Sequence, residues 1–442
     1  MNLSNCHNGV CGCTDKLTAQ ALGKWAEKQL KPADPKQKIC AGKRAGQLEK
    51  SLNSISEVAD AIAELNPREA KQALLIKQLA DSALKAGKGC CRCENGLEEI
   101  EVYQKPGGFK TVEVENTKPD YKKLGVYQGA LEVISAFQGE KPDSILERAA
   151  DNLYRHAESI NLNSGEITAE SYWKHLDIHR DNYLETGNHS LKQVACAFNH
   201  HAALAVVSLG VNSRASFLGV KAAAQTEAGK HKGADLNLIA NFAQIKDTQM
   251  KKGFYAGIRT NELEETQAAL GMISALAGQA AETNPNEAPS ARLAQKIAQK
   301  AIDSSLSSLE AKKRKKPSVS RARNMLGEYH GALKVISSLE PDLNSEAISR
   351  GAKKIMTGTE FIENLKAEDN SVLWPVDEQV VNRARKHEIQ GGLSALKEVA
   401  DAVGCVKAKA LIECGSPDCC TLERLSRIKN NPETLDKWLN NQ

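Results

Sequence analysis

The 442-residue sequence has few aromatic side chains: they make up 4% of it, with seven phenylalanines and four tryptophans. Strands favour aromatic and β-branched residues, whereas helix interiors accept alanine and leucine at little cost. Because Ala, Leu, Lys, Glu, Gln and Ser predominate, the composition predicts an all-α fold. The chain is too long for one ordinary hydrophobic core, so we expect two or three domains.

The sequence also lacks long apolar runs and a large charge of one sign. No run approaches the roughly 20 residues that a membrane-spanning helix needs, so we expect no transmembrane segment. The start, MNLSNCHNGVCGCTDK, has no basic region followed by an apolar one, so we expect no conventional secretory signal peptide. The net charge of +4 does not by itself indicate nucleic-acid binding. These absences favour a protein that is cytoplasmic or exported by another route, such as a dedicated bacterial secretion machine.

Cysteine, by contrast, is plentiful, with twelve residues. Without a signal peptide, this number indicates thiols or metal ligands rather than a disulfide framework. Nine of them fall into three short clusters: Cys6, Cys11, Cys13; Cys90, Cys91, Cys93; and Cys414, Cys419, Cys420. We expect no cofactor unless zinc binds, and the C-x2-C spacing of Cys90 and Cys93 makes Cys90, Cys91 and Cys93 the candidate zinc ligands. The alternatives are free thiols and, at the N-terminus, acylation that would tether the chain to a membrane.

Two stretches of the chain are nearly the same. LGVYQGALEVIS, from Leu124, and LGEYHGALKVIS, from Leu326, agree at nine of twelve positions. Other pairs follow in the same order, at offsets between 201 and 218 residues, among them Trp173 with Trp374, Asn66-Pro67 with Asn284-Pro285, and LKQVACA from Leu191 with LKEVADA from Leu396. Self-similarity at a nearly fixed period indicates a repeated architecture. We therefore predict a tandem duplication of a helical-hairpin unit of about 205 residues, forming a bundle or a short α-solenoid.

The predicted organisation is a flexible N-terminus at 1–16 and two repeat units at 17–228 and 229–442. Apolar residues three and four positions apart predict the helices of each unit. Gly129 and Gly331 fall inside the best helical pattern of each unit, where glycine costs about 1 kcal/mol relative to alanine. We interpret both glycines as sites of close contact between helices.

The two units differ at one joint. The first has an insertion at 87–119, where the alternating runs EEIEVYQ and FKTVEVE flank KPGG and predict a β-hairpin near 97–115. The second has a basic connector at 311–323, whose core is Lys312, Lys313, Arg314, Lys315 and Lys316. This run resembles a nuclear localisation signal, which a nuclear import receptor would bind, and it could instead bind phosphates or an anionic lipid surface. Nuclear or membrane-tethered localisation would follow; the alternative is a solvated connector.

The string HLDIHRDNYLETGN, from His175, contains the clearest enzyme-like pattern. It resembles the catalytic loop of aminoglycoside-phosphotransferase-type kinases, roughly H-G-D-x-H-x-x-N, with Leu176 in place of the glycine. The resemblance implies that Asp177 is the base and Asn182 a magnesium ligand, and His175 and His179 have a spacing that can bind zinc. The glycine-rich, lysine and D-F-G elements of kinases are not found, and the string aligns with PVDEQVVNRAR of the second unit. The duplication therefore predicts one ordinary helix here.

Arg44 and Arg259 recur in the matching segments AGKRAGQLE and AGIRTNELE. Each is similar to the arginine finger that helical GTPase-activating effectors present from a bundle, and the alternative is a structural ion pair.

The sequence favours a non-enzymatic helical interaction or scaffold protein that binds a macromolecular partner, most simply a protein. The alternative is a secreted bacterial effector-type enzyme with an unrecognised site in one unit. Features that only one unit has are the candidates for function.

Overall fold

The computed structural model describes residues 18–31, 41–89, 97–104, 108–115, 118–139, 141–163, 170–210, 214–226, 233–256, 260–310, 319–368 and 378–428. Within these ranges the protein is all-α, as its composition predicts, apart from one pair of strands. The chain divides into two compact units, Met1–His200 and His201–Gln442. The repeat boundary at 228/229 concerns sequence similarity and stays a prediction. None of the described helices is long and apolar enough to cross a membrane.

The first compact unit contains six helices and two strands in its described residues. They are α1 (Ala19–Leu30), α2 (Ala41–Leu65), α3 (Ala70–Gly89), β1 (Leu97–Gln104), β2 (Gly108–Glu115), α4 (Lys118–Ser135), α5 (Pro142–Asn163) and α6 (Glu170–Ala197). The strands pair antiparallel, with Leu97 opposite Glu115 and Gln104 opposite Gly108. They lie in the segment where the hairpin is predicted, and the residues that would form its turn are outside the described part of the chain.

The second compact unit contains ten helices in its described residues. They are α7 (His201–Ser208), α8 (Arg214–Gln225), α9 (Leu236–Ala256), α10 (Thr260–Thr283), α11 (Ala288–Glu310), α12 (Val319–Ile336), α13 (Glu346–Glu368), α14 (Glu378–Ala402), α15 (Val406–Cys414) and α16 (Cys419–Ser426). The pairs α10–α11 and α12–α14 pack together as α2–α3 and α4–α6 do in the first unit.

Helices α2 and α3 form a hairpin because a turn at Asn66–Glu69, closed by the Glu69 amide on the Asn66 carbonyl at 3.0 Å, separates them. Pro67 is the second residue of this turn, a position that suits the fixed φ of proline. The Glu69 carboxylate also accepts a hydrogen bond from the Ala19 amide at the start of α1, at 3.0 Å. In the second unit, Glu287 follows Asn284-Pro285 and accepts from the Leu236 amide at 2.9 Å. The same contact thus fixes the same joint at an offset of about 218 residues.

The close helix contacts predicted at the two matched glycines are confirmed. A Cβ on Gly129 of α4 would lie 2.6 Å from the Tyr183 carbonyl oxygen of α6, and a Cβ on Gly331 of α12 would collide with the backbone of α14. Only glycine lets the backbones approach this closely. Tyr127 and Tyr329, which correspond to each other, are fully buried beside these crossings.

The ends of α6 and α14 also match. After α6 the His200 amide donates to the Ala195 carbonyl, and after α14 the Cys405 amide donates to the Ala400 carbonyl, both at 2.9 Å. Such a bond closes a helix when the preceding residue is left-handed. That residue is Asn199 in one unit, with φ 54°, and a glycine in the other. These repeated contacts agree with a duplication, and the duplication event itself stays a prediction.

Candidate interaction groove

The kinase-like string lies inside α6, a single helix. Asp177 is exposed and forms an ion pair with Arg180 at 3.4 Å. Asn182 donates from its side chain to the Ile178 carbonyl of its own helix at 2.7 Å. His179 is buried, and its Nε2 lies 2.6 Å from Oε1 of Gln128, so this ring nitrogen is engaged in a hydrogen bond. His175 lies on the same helix. The contacts given for Asp177, His179 and Asn182 are those of helix packing and of bonds within or next to the helix.

Arg44 forms hydrogen bonds at the end of α1. Its guanidinium donates to the carbonyls of Gln29 and Leu30, at 2.6 and 3.1 Å, and so satisfies acceptors that a helix leaves open at its C-terminus. Burial lowers the pKa of Arg44. Its described contacts are with carbonyls rather than with the carboxylate of an ion pair, and they tie α2 to α1. The other predicted binding residues, Arg259 and Lys312, Lys313, Arg314, Lys315 and Lys316, lie outside the described residues.

The candidate zinc ligands Cys90, Cys91 and Cys93 also lie outside the described residues. The cysteines that are described are free thiols: Cys196, Cys405, Cys414, Cys419 and Cys420. The Cys419 thiol accepts a hydrogen bond from Arg385 at 2.8 Å. Within the described part of the chain, no group of three or more His, Cys, Asp or Glu side chains could hold a metal ion.

A buried charged cluster joins three helices of the second unit. Nζ of Lys334, on α12, lies 3.1 Å from Oδ1 of Asp247 on α9 and also contacts the carboxylate of Glu388 on α14. The His330 ring lies 2.9 Å from the same Asp247 oxygen. Burial alone would lower the pKa of Lys334, but the two carboxylates outweigh it and raise that pKa above its ordinary value. Lys334 is therefore charged, and it ties α12 to α9 and α14.

The first unit has a different buried cluster at the same place. Glu132, on α4, corresponds to Lys334 at an offset of 202 residues. Burial, with a smaller effect of the Glu27 charge, raises the pKa of Glu132 to about 8. Burial lowers the pKa of His156 to about 4, and burial together with His156 lowers the pKa of His179 to about 4. At pH 7 this cluster is neutral.

A row of cations on α11 of the second unit lines an open groove. Arg292, Lys296 and Lys300 follow each other at intervals of four residues, so they form one row along the helix. All three line an open groove together with Ser274 of α10. The side chains of Lys296 and Lys300 are 64% and 46% exposed, so they are not needed to bury the helix.

One carboxylate forms ion pairs with two of these cations. Glu398, on α14, has a side chain that is only 6% exposed; it lies 2.7 Å from Nζ of Lys296 and also pairs with Lys300. Burial would raise the pKa of Glu398, but its bonds to the two lysines outweigh burial and lower it. The hydrogen bond to Glu398 in turn raises the pKa of Lys296. Glu398 and Lys296 are therefore both charged at neutral pH.

A cavity of about 160 Å³ opens beside this ion pair, between α11, α12 and α14. Small and aliphatic side chains form much of its wall: Ile297, Ala301, Ala332 and Ala395. Lys300 and Glu398 belong to its lining, so the cavity and the charged row share a border. Glu328 also lines it, and burial raises the pKa of that carboxyl.

The corresponding surface of the first unit lacks this row of cations and has its charges elsewhere: Lys77, Asp81 and Lys85 stand where the second unit has Gln295, Gln299 and Asp303. Where the second unit has Arg292, Lys296, Lys300 and Glu398, the first has Leu74, Gln78, Ser82 and Gln193. The Gln193 amide donates to the Ser82 hydroxyl at 3.4 Å and lies 3.2 Å from the His189 ring. The same two helix faces are thus bridged by neutral hydrogen bonds in one unit and by an ion pair in the other.

The sequence predictions missed this groove because they looked for function in the joints between helices. Its signal was present in the alignment of the units, as three cations four residues apart opposite three uncharged residues. Comparisons with protein-family models, curated proteins and solved structures find no match. Function is therefore argued from the geometry of the chain itself.

Proposed function

We propose that the protein is a non-enzymatic helical scaffold that binds a protein partner, and that the groove on α11 of the second unit is its docking surface. The observation that carries this proposal is the replacement of Gln78, Ser82 and Gln193 by Lys296, Lys300 and Glu398 on otherwise matching helices. The lysine side chains are largely exposed and contribute little to burial, although both also pair with the buried carboxylate of Glu398. Their presence in one unit alone supports a binding role for the exposed side of this row.

A helical scaffold suits this role. The Gly331 crossing packs α12 closely against α14, the buried cluster ties α12 to α9 and α14, and α11 packs on both α12 and α14, so the groove is formed before a partner arrives. Binding to a preformed surface avoids the entropic cost of ordering it.

The test exchanges the residues that differ between the two units at the corresponding positions. In the groove variant Lys296→Gln, Lys300→Ser and Glu398→Gln are combined, which gives the second unit the residues of the first. In the matched control Gln78→Lys, Ser82→Lys and Gln193→Glu are combined in the first unit. Tagged full-length proteins are incubated with an extract of the cells that produce the protein, and bound proteins are quantified by mass spectrometry.

We expect the wild type and the control to retain the same partner. The amount of this partner bound by the groove variant should be lower by about tenfold or more, because several charge pairs would be removed together. Circular dichroism verifies that all three proteins keep their helicity. Equal retention by the wild type and the groove variant would remove the groove as the docking surface. Turnover of a co-purified small molecule by the wild type would instead favour an enzyme.

A further inference from the structure

We propose that the groove on α11 takes an acidic peptide segment, with carboxylates at helical spacing and one aliphatic side chain that enters the neighbouring cavity. This inference rests on the proposed function and names the chemical class of the partner. It follows from the spacing of the cations, from the carboxylate that already contacts them, and from the size and wall of the cavity.

The spacing of the cations matches that of side chains on a second helix. Arg292, Lys296 and Lys300 stand four residues apart on α11, so at a rise of 1.5 Å per residue their Cα atoms are about 6 Å apart. Acidic residues four apart on a partner helix have the same spacing. Helices commonly bind other proteins by laying one face into a groove.

Glu398 shows which group the lysines accept. It is a carboxylate held between Lys296 and Lys300, with the first contact at 2.7 Å. Both lysine side chains are exposed, at 64% and 46%, so they can also contact a carboxylate that comes from outside. Glu398 therefore competes with the partner's carboxylates for the two lysines. This competition lowers the apparent affinity of the groove for an acidic segment.

The cavity beside the ion pair gives the partner a second point of contact. Its volume of about 160 Å³ is enough for one side chain, since an apolar cavity of about 150 Å³ can hold benzene. Its wall contains Ile297, Ala301 and Ala332, which suit an aliphatic group such as that of leucine or methionine. An anchor in a pocket next to charged contacts is a frequent arrangement at protein interfaces.

The same geometry disfavours nucleic acid. Asp303 lines the groove and Glu328 lines the cavity, in addition to Glu398. A nucleic acid brings a dense line of phosphates, about one charge per 1.7 Å of duplex, and these carboxylates would repel it. A peptide can place separate carboxylates opposite the three cations and leave the acidic positions of the groove empty.

The test uses a fluorescent, alanine-rich helical peptide of about fifteen residues, with glutamates every fourth position and one leucine. A second peptide has glutamine in place of every glutamate, and a short single-stranded DNA serves as the phosphate probe. Anisotropy at low salt measures binding to the full-length protein. The proteins are the wild type, the groove variant, Glu398→Gln alone, and Gln193→Glu as the matched control in the first unit.

We expect the glutamate peptide to bind roughly tenfold more tightly than the glutamine peptide, and the groove variant to lose that difference. Glu398→Gln should tighten binding severalfold, because it releases both lysines, whereas Gln193→Glu should change nothing. A merely structural role of Glu398 would give no tightening. Because glutamine has nearly the same shape as the buried Glu398 and the lysines are largely exposed, circular dichroism should show unchanged helicity. If Glu398→Gln unfolds the second unit, the groove variant, whose charges are removed together, still decides the question.

The proposal is overturned if the two peptides bind alike, if Glu398→Gln weakens the binding of the glutamate peptide, or if DNA binds more tightly than the peptide through the same lysines. The proposed scaffold function has a separate outcome. If the peptides fail but the groove variant still loses its cellular partner, the protein is a scaffold whose partner is not acidic.

Discussion

The two units place opposite chemistry at the same point of their cores. Glu132 on α4 and Lys334 on α12 are equivalent, and each faces the helix across the glycine crossing. The neighbours differ with them: Tyr183 of the first unit corresponds to Glu388 of the second, and Gln128 to His330. A side chain at Gly358, which corresponds to His156, would collide with the Lys334 stem. One backbone arrangement thus accepts either a neutral or an ionised cluster, provided that the contacting positions change together.

The comparison teaches that the repeated part of the molecule is its backbone geometry. Apolar stripes, the Asn-Pro breaks and the glycine crossings recur, whereas the clusters around Glu132 and Lys334 differ. The neutral cluster avoids the cost of burying charge, and the ionised cluster offsets that cost by pairing. The two should therefore respond differently to the loss of a partner and to pH, which gives three ways to test the comparison.

The largest effect is expected for Lys334→Met. This change removes the cation and leaves the buried Glu388 carboxylate without the lysine that it contacts, at a cost of about 3–5 kcal/mol in the free energy of unfolding. The matched change, Glu132→Met, removes a group that is neutral at pH 7 and should cost much less. Urea unfolding of the full chain gives the stabilities, and hydrogen exchange shows which unit opens.

Equal losses for the two variants would contradict the assignment of an ionised cluster to the second unit alone. The deficit of Lys334→Met should also shrink in acid, because protonation removes the buried negative charge. A deficit that does not depend on pH would indicate that the methionine packs poorly, rather than that a charge is unpaired.

Much of the fold could be predicted from the sequence. The spacing of Tyr127, Leu131 and Ile134 is helical, and all three side chains are fully buried, while Leu124 of the same stripe is half-buried. Gly129 and Gly331 could be interpreted as close crossings because glycine inside a helix needs a reason. Such local rules work because helix packing depends on the size and polarity of single residues.

The candidate site could not be predicted in the same way. The pairing of Lys296 with Glu398 joins residues about a hundred positions apart, and nothing in either neighbourhood indicates the other. The kinase-like string shows the reverse case: its residues are close in sequence, but on the helix that the duplication predicts Asp177 and Asn182 point in different directions. Spacing along the chain indicates a site only when the element that carries it is known.

The second effect is a loss of stability of the first unit in acid. The pKa of both His156 and His179 falls from 6.5 to about 4 on folding, so the unfolded chain binds more protons between these values. The stability is fully present above pH 6.5 and is lost as the pH falls towards 4, by about 3 kcal/mol for each histidine. Glu132 offsets part of this loss, because it binds its proton more readily in the folded state. A net loss of about 3–4 kcal/mol is expected.

The second unit provides the comparison, since the positions equivalent to the two histidines hold Gly358 and Ala384. Hydrogen exchange, corrected for the pH dependence of the intrinsic rate, should show α5 and α6 losing protection before α13 and α14. His156→Phe should remove about half of the histidine contribution, whereas His189→Gln, on the exposed side of α6, should leave it unchanged. Simultaneous loss of protection in both units would remove this distinction between the clusters.

The smallest effect is expected for Glu132→Gln, at the other end of the pH range. The pKa of Glu132 rises from 4.5 to about 8 on folding, chiefly through burial, so the folded state holds a proton that the unfolded chain has released. The stability that this proton contributes is present below pH 4.5 and is lost as the pH rises through 8. Glutamine has nearly the same shape and cannot ionise, so the variant should be more stable than the wild type above pH 8, by about 1–3 kcal/mol.

The gain should disappear near pH 5, where the wild-type carboxyl is protonated in the folded state. Glu57→Gln, an exposed position on α2 of the same unit, is the control and should leave the alkaline limb of the stability profile unchanged. Urea midpoints measured from pH 5 to pH 9 decide the matter. If Glu132→Gln lowers stability throughout this range, Glu132 is held as a carboxylate by its neighbours, and the first unit has a charged core like the second.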